Sequence, residues 1–158
     1  FCLEGDGEAI IIGKKIVADL DGKPFSIKTE NKTLYHASAV TACGHLVALI
    51  DVAVEILTKC GLDEKQSKEV LLPLIESTVE NLKNQELSQA LTGTFARADV
   101  KIFEKHLESL KQNVSGEALE VYLQLGGRSV HLAEEQGADK VKIKDLRNKI
   151  SLAKKNLK

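Results

Sequence analysis

Apolar residues follow two rhythms along this chain. From about residue 64 onward they recur every three or four positions among charged residues. That period predicts amphipathic helices. From Leu34 to Ile50 the chain carries no formal charge at all. Tyr35, His36, Ser38, Thr41 and His45 interrupt this run, and alanines and a glycine keep it slim. Such a pattern predicts one long central helix, buried on most sides, in preference to a membrane span.

The first thirty residues read differently. "FCLEG" is a short strand-like run, and "GEAIIIGKKIVADLDG" is a helix with Ala9, Ile12, Ile16 and Leu20 on one stripe. Gly22 is expected to close that helix in a left-handed conformation. "KPFSIK" follows as a second short strand. Strand, helix, strand is one unit of an α/β sheet, yet two strands alone do not make a stable sheet. The opening "FCLEGDGEA" reads as the middle of a longer sequence.

From Asn31 onward helices alone are expected, punctuated by caps and breakers. Gly61 ends the long helix, and Asp63 with Gln66 has capping-box spacing for the next. Pro73 inside that helix predicts a kink. Gly93 stops a short helix over "ELSQALTG". Asp99 caps "VKIFEKHLESLKQN", whose apolar stripe is Val100, Phe103, Leu107 and Leu110. Ser115 caps another helix, in which Gly126–Gly127 allows a bend or close packing. Gly137 ends it. A Lys-rich amphipathic helix with Ile143, Leu146, Ile150 and Leu157 closes the chain.

Composition narrows the function classes. The 158 residues hold 22 basic and 23 acidic side chains, for a formal net charge of −1. No basic stripe recruits nucleic acid and no polybasic cluster recruits a membrane. Three widely spaced cysteines, Cys2, Cys43 and Cys60, form no CxxC pair. That favours a reducing, cytoplasmic setting over a disulfide framework.

The stretch "LTGTFARAD" (91–99) concentrates the candidate chemistry. Gly93 and Asp99 are accounted for equally well as a helix stop and a helix cap. Thr92, Thr94 and Arg97 are harder to assign to structure alone. Arg97 lies beside a helix start, where free backbone donors favour anions, and its planar guanidinium suits a carboxylate or phosphate. A nearby acid or plain solvent are its other partners. His36 is either a proton donor or a structural histidine. His36 and His45 face opposite sides of one helix, and His36 and Cys43 stand about 10 Å apart along it, so no metal site is visible. Neither a GxGxxG nor a GxxxxGK[ST] loop is present. His106 and His131 sit among charged neighbours and read as surface residues.

"FCLEGD", "KPFSIKTENKTLYHASAV", "VALIDVAVEILTKCGL", "LLPLIESTVENL" and "ALTGTFARADVKIFEKHLESL" occur in this order. Over about residues 1–135 the chain thereby resembles the C-terminal half of a family of Rossmann-like NADP oxidoreductases. That family is similar in layout to ketopantoate reductase, pyrroline-5-carboxylate reductase and 6-phosphogluconate dehydrogenase. The resemblance implies a mainly α fold: a helical bundle like the C-terminal domain of 6-phosphogluconate dehydrogenase, preceded by a strand–helix–strand remnant of a Rossmann domain. Residues 1–28 would end the nucleotide-binding domain, and 29–158 would form a helical dimerisation and substrate domain. It further implies NADP as cofactor, held mainly by a segment outside this chain, a homodimer, and a small anionic substrate. His36 and Lys32 would be catalytic; Tyr35, Thr92, Gly93, Arg97 and Asp99 would bind substrate. The family's Ser-Asn pair after "YHASAV" is replaced by Cys43 and Gly44, which puts hydride transfer in question. Its "RGD" reads "RAD", and Ala98 implies that the turn before Asp99 avoids positive φ.

Overall fold

The computed structural model of the chain describes residues 1–157. Among these, the chain forms eight α-helices: α1 (Gly7–Asp19), α2 (Lys32–Thr58), α3 (Glu64–Asn84), α4 (Leu87–Ala90), α5 (Gly93–Ala96), α6 (Val100–Asn113), α7 (Gly116–Glu135) and α8 (Lys140–Lys155). A 3-10 turn, Thr29–Asn31, leads into α2. The protein is thus mainly α, and it divides into two compact units, Phe1–Ala48 and Leu49–Lys158. The division falls inside α2.

In the first unit Asp6 caps α1, its carboxylate accepting from the Ala9 amide at 2.8 Å. The segments flanking α1 pair in parallel through a single bridge, Cys2 to Phe25. Two bonds hold it: Leu3 N–H to Phe25 O at 2.8 Å and Phe25 N–H to Phe1 O at 3.0 Å. The expected strands therefore shrink to a bridge, because neither segment has a further neighbour to extend the ladder among the described residues. The left-handed residue after α1 is Asp21 (φ 53°), not Gly22. Asp21 N–H bonds Ala18 O and Gly22 N–H bonds Val17 O, a Schellman closure shifted by one position. Gly22 serves close approach instead: a Cβ there would lie 2.5 Å from the Phe1 ring.

Two expectations about burial fail in this unit. The stripe Ile12, Ile16 and Leu20 is exposed, while Val17 is buried and Ile10 and Gly13 are half-buried. Helix α2 was expected to be buried on most sides, yet every residue from Lys32 to Leu49 is exposed. Thr29–Thr58 is long and apolar enough to cross a membrane by length and composition. The absence of charge predicts that this surface avoids water, but it does not specify what covers it.

The second unit has a real core. Phe103, Leu110, Leu119, Leu123, Val130, Ile143, Leu146 and Ile150 form it, with Ala98, Ala133 and Ala153. It lies between α6, α7 and α8, with α5 packed on α7. The α6 stripe falls as expected: Phe103 and Leu110 are buried, Val100 and Leu107 half-buried. In α8 the buried residues are Ile143, Leu146, Ile150 and Ala153. Leu157 is exposed, because the helix ends at Lys155 and the stripe ends with it. Asp63 and Gln66 complete the capping box of α3, which continues through Pro73. Gly61 and Gly137 adopt positive φ just past α2 and α7. Helix α7 runs unbroken through Gly126–Gly127, and a Cβ on Gly126 would sit 3.0 Å from Phe95 Cζ. The glycine pair therefore serves close packing and introduces no break.

Candidate functional site

The candidate residues fall in both units. In the first, Lys32 opens α2 and pairs with Glu4, whose other oxygen accepts from Thr29 Oγ1 at 2.7 Å. These partners, Lys32 foremost, hold the Glu4 carboxyl below its ordinary range. Tyr35 lies edge-on to Phe25, with ring centroids 5.8 Å apart. His36 is exposed, and its ring makes no hydrogen bond among the described residues. The structure thus gathers Glu4, Thr29, Lys32, Phe25 and Tyr35 around the start of α2. Gly44 is exposed, and a Cβ there would meet only Val40 Cγ1, at 3.7 Å. A side chain at that position has room in this chain.

In the second unit the 91–99 segment is a compact double turn. Thr92 stands before α5, and its hydroxyl makes no capping bond. Gly93 has φ 80°, and it starts α5 where it was expected to stop the preceding helix. Helix α4 closes two residues earlier, with Leu91 N–H on Ser88 O. After α5, Arg97 N–H bonds Gly93 O, Ala98 N–H bonds Phe95 O, and Asp99 N–H bonds Thr94 O. These bonds force Ala98 to φ 47°, against the expectation that alanine would avoid it. Ala98 is fully buried, so core packing outweighs the roughly 1–2 kcal/mol cost of left-handed geometry. Asp99 caps α6, accepting from the Ile102 amide at 3.1 Å. The Arg97 guanidinium is exposed and has no ion-pair partner among the described residues.

Sequence reasoning passed over a groove of about 280 Å³ in the second unit. Its walls include Val52, Ile56, Phe95, Tyr122 and Leu125. The Tyr122 hydroxyl shares a 3.0 Å hydrogen bond with His106 Nδ1, and burial pushes its pKa up to about 12. His106 is exposed as expected but is tied to this phenol. Tyr122 lies three positions after the core residue Leu119 on α7, and that helical spacing was the available signal. Beside the groove, Glu55 accepts from the Ser115 amide (2.8 Å) and hydroxyl (3.2 Å), which lowers its pKa. The three cysteines are free thiols.

Residues 1–129 match a family model described as "Domain of unknown function (DUF2520)". The chain belongs to the DUF2520 family. Among solved structures it is similar to protein TM1727 from Thermotoga maritima, with 30% identity and a TM-score of 0.76. That likeness covers 86% of this chain and 53% of the other. The chain therefore spans about half the length of that neighbour. Among curated proteins nothing matches this chain. The family model ends within α7, so α8 lies beyond it.

Proposed function

We propose that this DUF2520 chain is the helical part of an NADP-dependent oxidoreductase, contributing a substrate site and a dimer interface. Residues 1–28 would complete a Rossmann domain whose other strands and glycine loop come from outside this chain. The observation that carries the reading is the parallel pairing across α1. Parallel strands need a crossover connection, and α1 supplies one. Parallel sheets are covered on both faces, and the exposed Ile12, Ile16 and Leu20 are suited to such cover. NADP, when bound in the complete enzyme, would supply hydride-transfer chemistry, and Arg97 would hold the anionic group of a small substrate. Of the two candidate proton donors Lys32 is engaged by Glu4, which leaves His36 for that role. The free thiols fit a reducing cytoplasm.

The test is NADPH fluorescence titration of the polypeptide that includes the preceding segment. Saturable binding is expected, with turnover weakened at least about tenfold in Arg97→Ala. Absence of nucleotide binding refutes the oxidoreductase; an unchanged Arg97→Ala removes that residue from the site.

One observation favours a second reading, a non-catalytic helical dimerisation domain. The exposed half of α2 is uncharged from Leu34 to Leu49, with Leu34 72% and Val47 69% exposed. Ala37, Ala39, Ala42 and Gly44 would allow a second helix to approach closely. A Val47→Glu substitution should shift the sedimenting species from dimer to monomer. Dimerisation without nucleotide binding would select this reading over the first.

A further inference from the structure

We propose that the cleft between α7 and α8 binds a small polyanion of phosphate chemistry. The site is independent of the oxidoreductase reading, and α8 lies beyond the segment that matches the family. Gly127, Arg147, Ile150, Ser151, Lys154 and Lys155 line a hollow of about 380 Å³. No carboxylate is among them.

The helical period builds this wall. Positions 147, 151, 154 and 155 lie at i, i+4, i+7 and i+8, so they share one side of α8. Ile150, 4% exposed, forms the floor where that side meets the core. From the opposite helix comes Gly127, half-buried. A Cβ there would already touch Lys154 Nζ at 3.5 Å, so a larger side chain would fill the hollow.

Two of the cations have partners within the protein. Lys154 donates one bond to Gln124 Oε1 at 2.8 Å, which leaves two ammonium hydrogens for a ligand. Arg147 grips Glu134 with both terminal nitrogens, which orients its remaining donors. Lys155 and the Ser151 hydroxyl have no hydrogen-bond partner among the described residues. Three cations stand against one neighbouring carboxylate, Glu134, in a chain whose formal net charge is −1. A ligand with several negative oxygens can meet ammonium, guanidinium and hydroxyl at once. Lysines in a last helical turn also complement the helix dipole. That role alone requires neither the hollow nor the glycine opposite, and it predicts no ligand.

The test is titration of the chain with inorganic pyrophosphate at low ionic strength, followed by calorimetry and by backbone amide shifts. One-to-one binding is expected, with Kd below about 1 mM and shifts centred on residues 124–128 and 147–155. The triple variant Arg147→Gln, Lys154→Gln, Lys155→Gln should weaken it at least about tenfold. Gly127→Leu keeps every charge and favours the helix, yet should cause a similar loss by filling the hollow. Undiminished helicity and melting in Gly127→Leu guard against misfolding as the cause. The proposal is overturned by absence of pyrophosphate binding, or by binding that Gly127→Leu leaves intact, the mark of diffuse surface charge. Binding of anionic vesicles or RNA without pyrophosphate binding also overturns it.

Discussion

The two units of this protein differ in whether their apolar side chains assemble a core. Residues 49–158 build a core, with Phe103, Leu123, Val130 and Leu146 each 0% exposed, although Leu74, Leu87, Val141 and Leu152 stay on the surface. In residues 1–48, Val17 is the single buried apolar side chain, while Phe1, Ile11, Ile12, Ile16, Leu20 and Leu34 each keep more than half of their surface. Apolar content is not the difference, since both stretches are rich in it. The difference is whether complementary faces exist within the same unit. Helices α6, α7 and α8 each supply a stripe that meets the others. Helix α1 and the first half of α2 carry apolar surface with no counterpart among the described residues. Burial drives folding at roughly 25 cal/mol per Å² only when a partner surface is present.

This contrast is open to direct attack, most sharply at the core. Phe103→Ala should cost about 3–5 kcal/mol in urea unfolding, because its cavity opens among close-packed neighbours. A loss below about 1 kcal/mol would mean that the second unit is not the stable body described here. Next in size is Gly126→Ala. The added methyl meets the Phe95 ring, and overpacking of this kind should cost about 1–3 kcal/mol, read as a lowered melting temperature.

Ser115→Ala comes third, at about 1 kcal/mol, since the hydroxyl caps α7 through the Ala118 amide at 3.1 Å. It also removes one of the two donors that hold Glu55 below its ordinary pKa. A carboxyl depressed in the folded state stabilises above its unfolded pKa of about 4.3 and loses that contribution as pH falls through the folded value. Wild-type stability should therefore drop between about pH 5 and pH 3, and the variant should show a shallower drop over the same window. An identical pH profile would dissociate Glu55 from the second unit's stability.

The smallest effect sharpens the comparison from the other side. Ile12→Ser should change the stability of this chain by less than about 0.5 kcal/mol, as at any exposed site. The same substitution in a polypeptide carrying the preceding segment should cost several times more if a sheet covers α1. Equal effects in both would leave the exposed stripe without its proposed cover.

Much of the helical outline was readable in the sequence. Asp63 with Gln66, Asp99 and Ser115 all cap the helices they were expected to cap, because capping is local chemistry between a side chain and amides two or three residues ahead. The stripes of α6 and α8 were equally legible, apart from Leu157. The candidate site was less so. Asp99 was recognisable as a cap, but the engagement of Lys32 by Glu4 joins residues far apart in the chain. The His106–Tyr122 bond likewise crosses from α6 to α7, and no local spacing announces it. The left-handed Ala98 ran against its own propensity, since three backbone bonds and full burial outweighed the preference of one residue.

By itself, then, the order of residues determined where most of the longer helices are capped and which of their faces are apolar, since those depend on interactions within one or two turns. Only the tertiary structure decided which of those faces are buried: α6 to α8 found one another, and α1 and the first half of α2 did not. It alone brought Gly127 opposite Lys154 and set three cations around one hollow, because burial and charge clustering are properties of surfaces that meet, and such meetings are not local to any segment of the chain.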